Sequence, residues 1–206
     1  MPGKIESIIL GMFFGVGPLV FCFLATMITT AIFWGKESFG PWALWSLVPA
    51  IIIDVFYLKK WVRRAYQINN KVLSVIYLFY SVVALGMGMG LPILNLALGT
   101  AAGVYAARKM HFTGADEGRR KQAFKKTAVF SALVMTIMCC LITLWAIAGQ
   151  MIGYRVETRY LSFTFTVPVF FAVVLTGGTA LVLLQYCLTL TAAKITIKLL
   201  PVTHNL

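Results

Sequence analysis

The apolar runs of this chain contain a single carboxylate, Asp54; Glu6, Glu37, Asp116, Glu117 and Glu157 all fall in tails or between the runs. A carboxylate in hydrocarbon is costly, and where one persists it marks a cation site, a proton site or a paired charge. Asp54 stands five residues before Lys59, so an ion pair at helical spacing competes with an ion or proton site. Neutral hydrogen-bonding groups form a second set. Asn95, Gln150 and Gln185 are carboxamides within apolar runs, each able to donate and accept. Together with Trp42, Tyr154 and Arg155 they make the candidate substrate-binding set, a mixture of amide, aromatic and guanidinium groups suited to orienting a small polar solute.

Other chemistries are excluded by the residues they would need. Both histidines, His111 and His204, lie outside the apolar runs, which removes two-histidine haem ligation within them. The sequence has no H-E-x-x-H, no paired carboxylates on one apolar helix, no G-x-S-x-G and no phosphate-binding glycine loop. Cys22, Cys139, Cys140 and Cys187 all sit in apolar runs without C-x-x-C spacing and read as small apolar residues. No metal and no cofactor are therefore expected. An enzyme acting on lipid would have only Asp54 and the arginines to work with, so a non-catalytic role is favoured.

Small residues supply the means of packing. Gly99 and Gly103 form a G-x-x-x-G motif, and Asn95 precedes them at the same four-residue period, on one helical face. Gly11 and Gly15 make a second such pair. Close backbone approach within the protein is the expected use of both, with a partner interface as the alternative. Gly178, Gln185 and Thr189 share one stripe of another helix, where Gln185 needs a partner.

The elements that must position these residues follow from charge. Of 206 residues, 60% are apolar and 12% charged, about half the charged share of a soluble domain. Uncharged stretches cover residues 7–35, 38–53, 72–107, 127–154 and 160–193. The third, at 36 residues, would make one helix of about 54 Å, too long for a hydrocarbon core of about 30 Å. It is expected to reverse at Gly86-Met87-Gly88-Met89-Gly90-Leu91-Pro92, where glycines free the backbone and Pro92 suits the start of a new helix. The segments 59–71 and 108–126 each carry a net charge of +5 and belong on the cytoplasmic side.

The expectation is an all-α, polytopic, six-helix transmembrane bundle with both termini cytoplasmic. Its helices cover about 8–33, 41–58, 72–88, 91–107, 128–150 and 169–192, in one transmembrane domain over residues 1–206 with no soluble domain. Thr113-Gly114-Ala115-Asp116 is read as a capping box opening a short helix that leads into the fifth span. The net charge of +12 is explained by topology and by anionic headgroups of the lipid bilayer, without nucleic acid. The basic loops 59–71 and 108–126 are also the surfaces for membrane or cytoplasmic protein subunits. The expected location is a plasma membrane of prokaryotic type.

The functional expectation is a membrane-embedded protein that binds a small solute in its outer half and transports it, as one subunit of a larger transport system. The alternative is a non-catalytic accessory or assembly subunit of a membrane complex. In length and span count the chain resembles the substrate-binding components of energy-coupling-factor vitamin transporters.

Overall fold

The computed structural model describes residues 4–33, 45, 47–87, 92–151 and 167–200. Among these the regular structure is entirely helical, without a strand. The helices are α1 (Lys4–Phe33), α2 (Leu47–Ile53), α3 (Lys59–Arg64), α4 (Asn70–Met87), α5 (Ile93–Phe112), α6 (Glu117–Met151) and α7 (Val167–Leu199). Among the described residues two segments are long and apolar enough to cross a membrane, Glu117–Trp145 and Ala172–Leu199. The remaining apolar helical segments, Gly15–Thr30, Leu47–Leu58 and Asn70–Gly86, are shorter. The contacts divide the chain into two units, Met1–Val72 and Leu73–Leu206.

In the first unit, α1 accommodates Pro18 in its interior. Proline has no N–H, so the carbonyl one turn earlier, that of Phe14, loses its intrahelical donor. The threonines of α1 add no comparable deficit: Thr26 and Thr29 donate to carbonyls one turn back at 2.9 Å, and Thr30 does the same to Thr26. Between α2 and α3, residues Asp54–Leu58 form a π-helical turn. Such a turn widens the helix by one residue per turn and changes where the following side chains point. The expected helix 41–58 is thus regular only over Leu47–Ile53 among the described residues, and it continues past Leu58 through Lys59–Arg64. Basic residues do not end it, because lysine and arginine are good helix formers with long stems.

In the second unit, α5 runs parallel to α7 and α6 runs antiparallel to both. Gly99 faces Gln185 and Thr189, while Gly103, one turn on, faces Thr189 and Ala193. In α6, Ser131 meets Thr189, and the earlier Phe124 meets the later Ala193. Buried positions recur every three or four residues: Asn95, Gly99, Gly103 and Ala106 on α5; Phe124, Ala128, Ser131, Val134 and Met138 on α6; Gln185, Thr189 and Ala193 on α7. The opposite faces carry Leu133, Ile137, Leu141, Leu144 and Trp145 on α6 and Leu175, Leu183, Leu184 and Ile195 on α7, all exposed. The inward stripes are therefore richer in small and polar residues than the outward ones.

A tight reversal links α5 to α6. Gly114 has φ +61°, its amide bonds His111 O, and the amide of Ala115 bonds Met110 O, both at 3.1 Å. This is the Schellman arrangement, whose left-handed position favours glycine. It also corrects the expected capping box. The Thr113 hydroxyl donates backward to Lys109 O at 3.0 Å, so it closes α5 and does not open a new helix. Glu117–Met151 is then one continuous helix, without a separate short helix before the fifth span. The other ends shift likewise: α5 continues to Phe112 and α7 to Leu199, past the expected 107 and 192.

Candidate functional site

The apolar helices of the second unit enclose a cluster of polar side chains. Gln185 on α7 is 0% exposed, Asn95 on α5 1%, Ser81 on α4 0%, Ser131 on α6 1% and Thr189 on α7 0%. Gln185 is its centre. Its Nε2 donates to Tyr77 Oη on α4 at 3.1 Å and to the backbone carbonyl of Asn95 at 3.0 Å. One turn along α7, the Thr189 hydroxyl donates to Gln185 O at 2.8 Å and pairs with Ser131 Oγ on α6 at 3.0 Å. Hydrogen bonds of Gln185 and Thr189 thus link α7 to the Tyr77 hydroxyl of α4, the Asn95 backbone carbonyl of α5 and the Ser131 hydroxyl of α6.

Glycine makes this approach geometrically available. An alanine methyl at 99 would collide with the Gln185 carboxamide and lie 2.8 Å from Thr189 Oγ1; one at 103 would collide with the backbone carbonyl of Thr189. Below the cluster, Ala106, Ala107, Phe124 and Ala193 form an apolar floor. Beside it, Tyr77 packs with Val134 and Met138, its ring 5.5 Å from that of Phe130.

Three atoms of the cluster have no hydrogen-bond partner, Asn95 Nδ2, Asn95 Oδ1 and Gln185 Oε1, while the Ser81 hydroxyl lies one turn along α4 from Tyr77 and interacts with its hydroxyl. Buried polar atoms are nearly always paired, and each that is not costs about 1–3 kcal/mol. The Asn95 side chain is therefore buried without any observed bond of its own, since Gln185 uses the Asn95 backbone.

Asn95 occupies the first turn of α5, whose N-cap, the buried Pro92, provides no side-chain cap. The first amides of a helix have no intrahelical acceptor, and the Asn95 amide closes only a short bond to Pro92 O at 3.1 Å. At this level α6 and α7 are far from their ends. Gly99 faces Gln185 and Gly103 faces Thr189, so Ile93, six residues before Gly99 on the parallel α5, is level with about Thr179, and α7 extends about 18 Å beyond it to Val167. In the other direction Lys126 is five residues from Ser131 and Lys194 nine from Gln185, about 8 and 14 Å along the axes. Helix α5 thus begins deep within the length of its neighbours.

Of the candidate substrate-binding residues, the structure brings Asn95 and Gln185 together. Gln150 is 19 residues along α6 from Ser131, about 28 Å from the cluster, and its side chain is outside the described set, as are Trp42, Tyr154 and Arg155 entirely. Asp54 belongs to the first unit, where a methyl on Gly15 would meet its Oδ2 at 3.5 Å; its Oδ1 is buried without a partner. The expected pairing with Lys59 falls outside the described side chains. Gly11 has open space around it. Sequence reasoning missed Tyr77, Ser81 and Ser131. The signal for the first two was their four-residue spacing; for Ser131 it was a serine on the stripe that includes Ala128 and Met135.

Among the described residues no three histidine, cysteine, aspartate or glutamate side chains gather as a metal site would require. Comparison with known protein families, curated proteins and solved structures found no match.

Proposed function

We propose that this chain is a multi-pass membrane protein that binds a small polar solute at the Asn95–Gln185 cluster and moves it across the bilayer, as one subunit of a larger transport system. The observation that carries this reading is the set of three buried, unpartnered carboxamide atoms of Asn95 and Gln185 on two helices. Such atoms are stabilised when a bound molecule or ordered water supplies the missing bonds. The start of α5 near that level is the kind of helix terminus by which discontinuous helices hold substrates in transporters.

Immersion in lipid is supported by the inverted distribution of polarity, small and polar inward and leucine, isoleucine and tryptophan outward. Six spans with cytoplasmic termini would give the basic segments 59–71 and 108–126, each of net charge +5, the inner location that positive charge favours. The alternating directions of α5, α6 and α7 agree with successive crossings, and Arg108, Lys126 and Lys194 share one end of that unit. Those basic segments would face anionic headgroups or further subunits on the inner surface of a prokaryotic-type plasma membrane. The solute site in this reading is deeper than the outer-half site anticipated from Trp42, Gln150, Tyr154 and Arg155.

Native mass spectrometry of the protein extracted in mild detergent from its own membrane tests the proposal. The expected spectrum carries a stoichiometric small molecule that is lost in Asn95→Leu. A retained protein partner with no small molecule would overturn it in favour of an accessory subunit.

A further inference from the structure

The chemistry of the solute can be read from what the cluster lacks. Its open positions are one carboxamide nitrogen and two carboxamide oxygens: Asn95 Nδ2, Asn95 Oδ1 and Gln185 Oε1. An amide nitrogen only donates and an amide oxygen only accepts. A ligand that satisfies all of them must therefore offer both donors and acceptors.

Charge is absent from the inventory. Among the described residues the buried polar side chains of this unit are Ser81, Asn95, Ser131, Gln185 and Thr189, none of them ionised. The lysines nearest along the helices, Lys126 and Lys194, are exposed and lie about 8 and 14 Å away. An ion placed among dipoles alone, without a counter-charge, bears a desolvation cost of several kcal/mol. Asn95 places its open donor and open acceptor on one planar group, the complement of another carboxamide.

We infer that the cluster takes an uncharged solute with an amide-type donor–acceptor pair and rejects its anionic and cationic isosteres. This rests on the solute-binding reading above. Because Gln185 bonds to the backbone carbonyl of Asn95, replacing the Asn95 side chain breaks no observed hydrogen bond. Substitutions there separate ligand recognition from folding.

The test uses three planar probes of nearly equal shape, acetamide, acetate and acetamidinium, with the full chain in lipid nanodiscs and binding read by saturation-transfer NMR. Acetamide is expected to give a saturable signal that Asn95→Leu removes. Acetate and acetamidinium are expected to bind at least tenfold more weakly, and Asn95→Asp to shift the preference to acetamidinium. Asn95-dependent binding of acetate or acetamidinium that equals acetamide would overturn the uncharged class and leave solute binding standing. An Asn95→Asp protein that still prefers acetamide would overturn the assignment of Asn95 as the recognising group. If none of the probes shows Asn95-dependent binding while the protein still retains a native small molecule, the amide class alone falls; if that molecule is absent too, so does the solute-binding reading.

Discussion

Replacing Asn95 with leucine should leave the protein as stable as before or more stable while it loses its ligand. The two side chains are similar in size, and Asn95 buries two polar atoms that have no partners. Each unpaired buried amide atom costs about 1–3 kcal/mol in a protein interior. Polar groups in membrane bundles contribute less, near 0.6 kcal/mol on average, since the unfolded chain in lipid also leaves them poorly solvated. The expected gain for Asn95→Leu is then about 1 kcal/mol, roughly a fivefold change in the folded-to-unfolded ratio. Unfolding by increasing detergent denaturant in mixed micelles, followed by far-ultraviolet circular dichroism, measures it. The comparison is Gln185→Leu, which removes the bond to Tyr77 Oη and one of the bonds to Asn95 O and should lose about 1–2 kcal/mol. A loss of 1 kcal/mol or more for Asn95→Leu would refute the reasoning, because it would mean that the carboxamide is a structural hydrogen-bonding group.

Three further outcomes are expected. Gly103→Ala should cost more than about 2 kcal/mol in the same assay, because the methyl meets the backbone of Thr189, whereas Gly11→Ala, in open space, should be neutral or up to about 1 kcal/mol stabilising. Gly15→Ala should be tolerated, since its methyl makes ordinary contact with Asp54 and Leu58, while Gly15→Leu should unfold the first unit at lower denaturant. In a variant whose native cysteines are replaced, Gly114→Cys should react with an impermeant maleimide only after the membrane is opened, and Lys36→Cys in intact cells; labelling of both from outside would dismiss the six-span arrangement.

How much of this was legible depends on what fixes each feature. Helix type is set locally, so the apolar runs and their approximate limits could be read from residues alone. The limits moved where chemistry at the ends is ambiguous: Thr113 has the spacing of a cap but bonds backward, and Lys59 and Lys60 continue a helix they were expected to close. The small-residue stripe of Asn95, Gly99 and Gly103 was visible, but its partner was not, because any of several helices could have offered a groove. Where a run is apolar on every side, hydrophobic periodicity does not mark the inward face. Tyr77, Ser81 and Ser131 were overlooked for that reason, and only the meeting of four helices gives them a role. The π-helical turn at Asp54 has no sequence signal of the kind that glycine gave at 114.

The threonine hydroxyls that bond within their own helices bear on how this sequence can drift. Thr100, Thr127, Thr136, Thr143 and Thr176, like Thr26 and Thr29, each donate to a carbonyl one turn earlier, at 2.7–3.0 Å. Exchange for valine at such a position removes a donor whose acceptor already belongs to the helical ladder, and so leaves no group stranded. These sites are open to neutral substitution, whereas Thr189, whose hydroxyl also reaches Ser131 on another helix, is tied to its partner. A tally of polar residues along these helices would treat the two kinds alike, although one is a reservoir of silent variation and the other a pair that must change together.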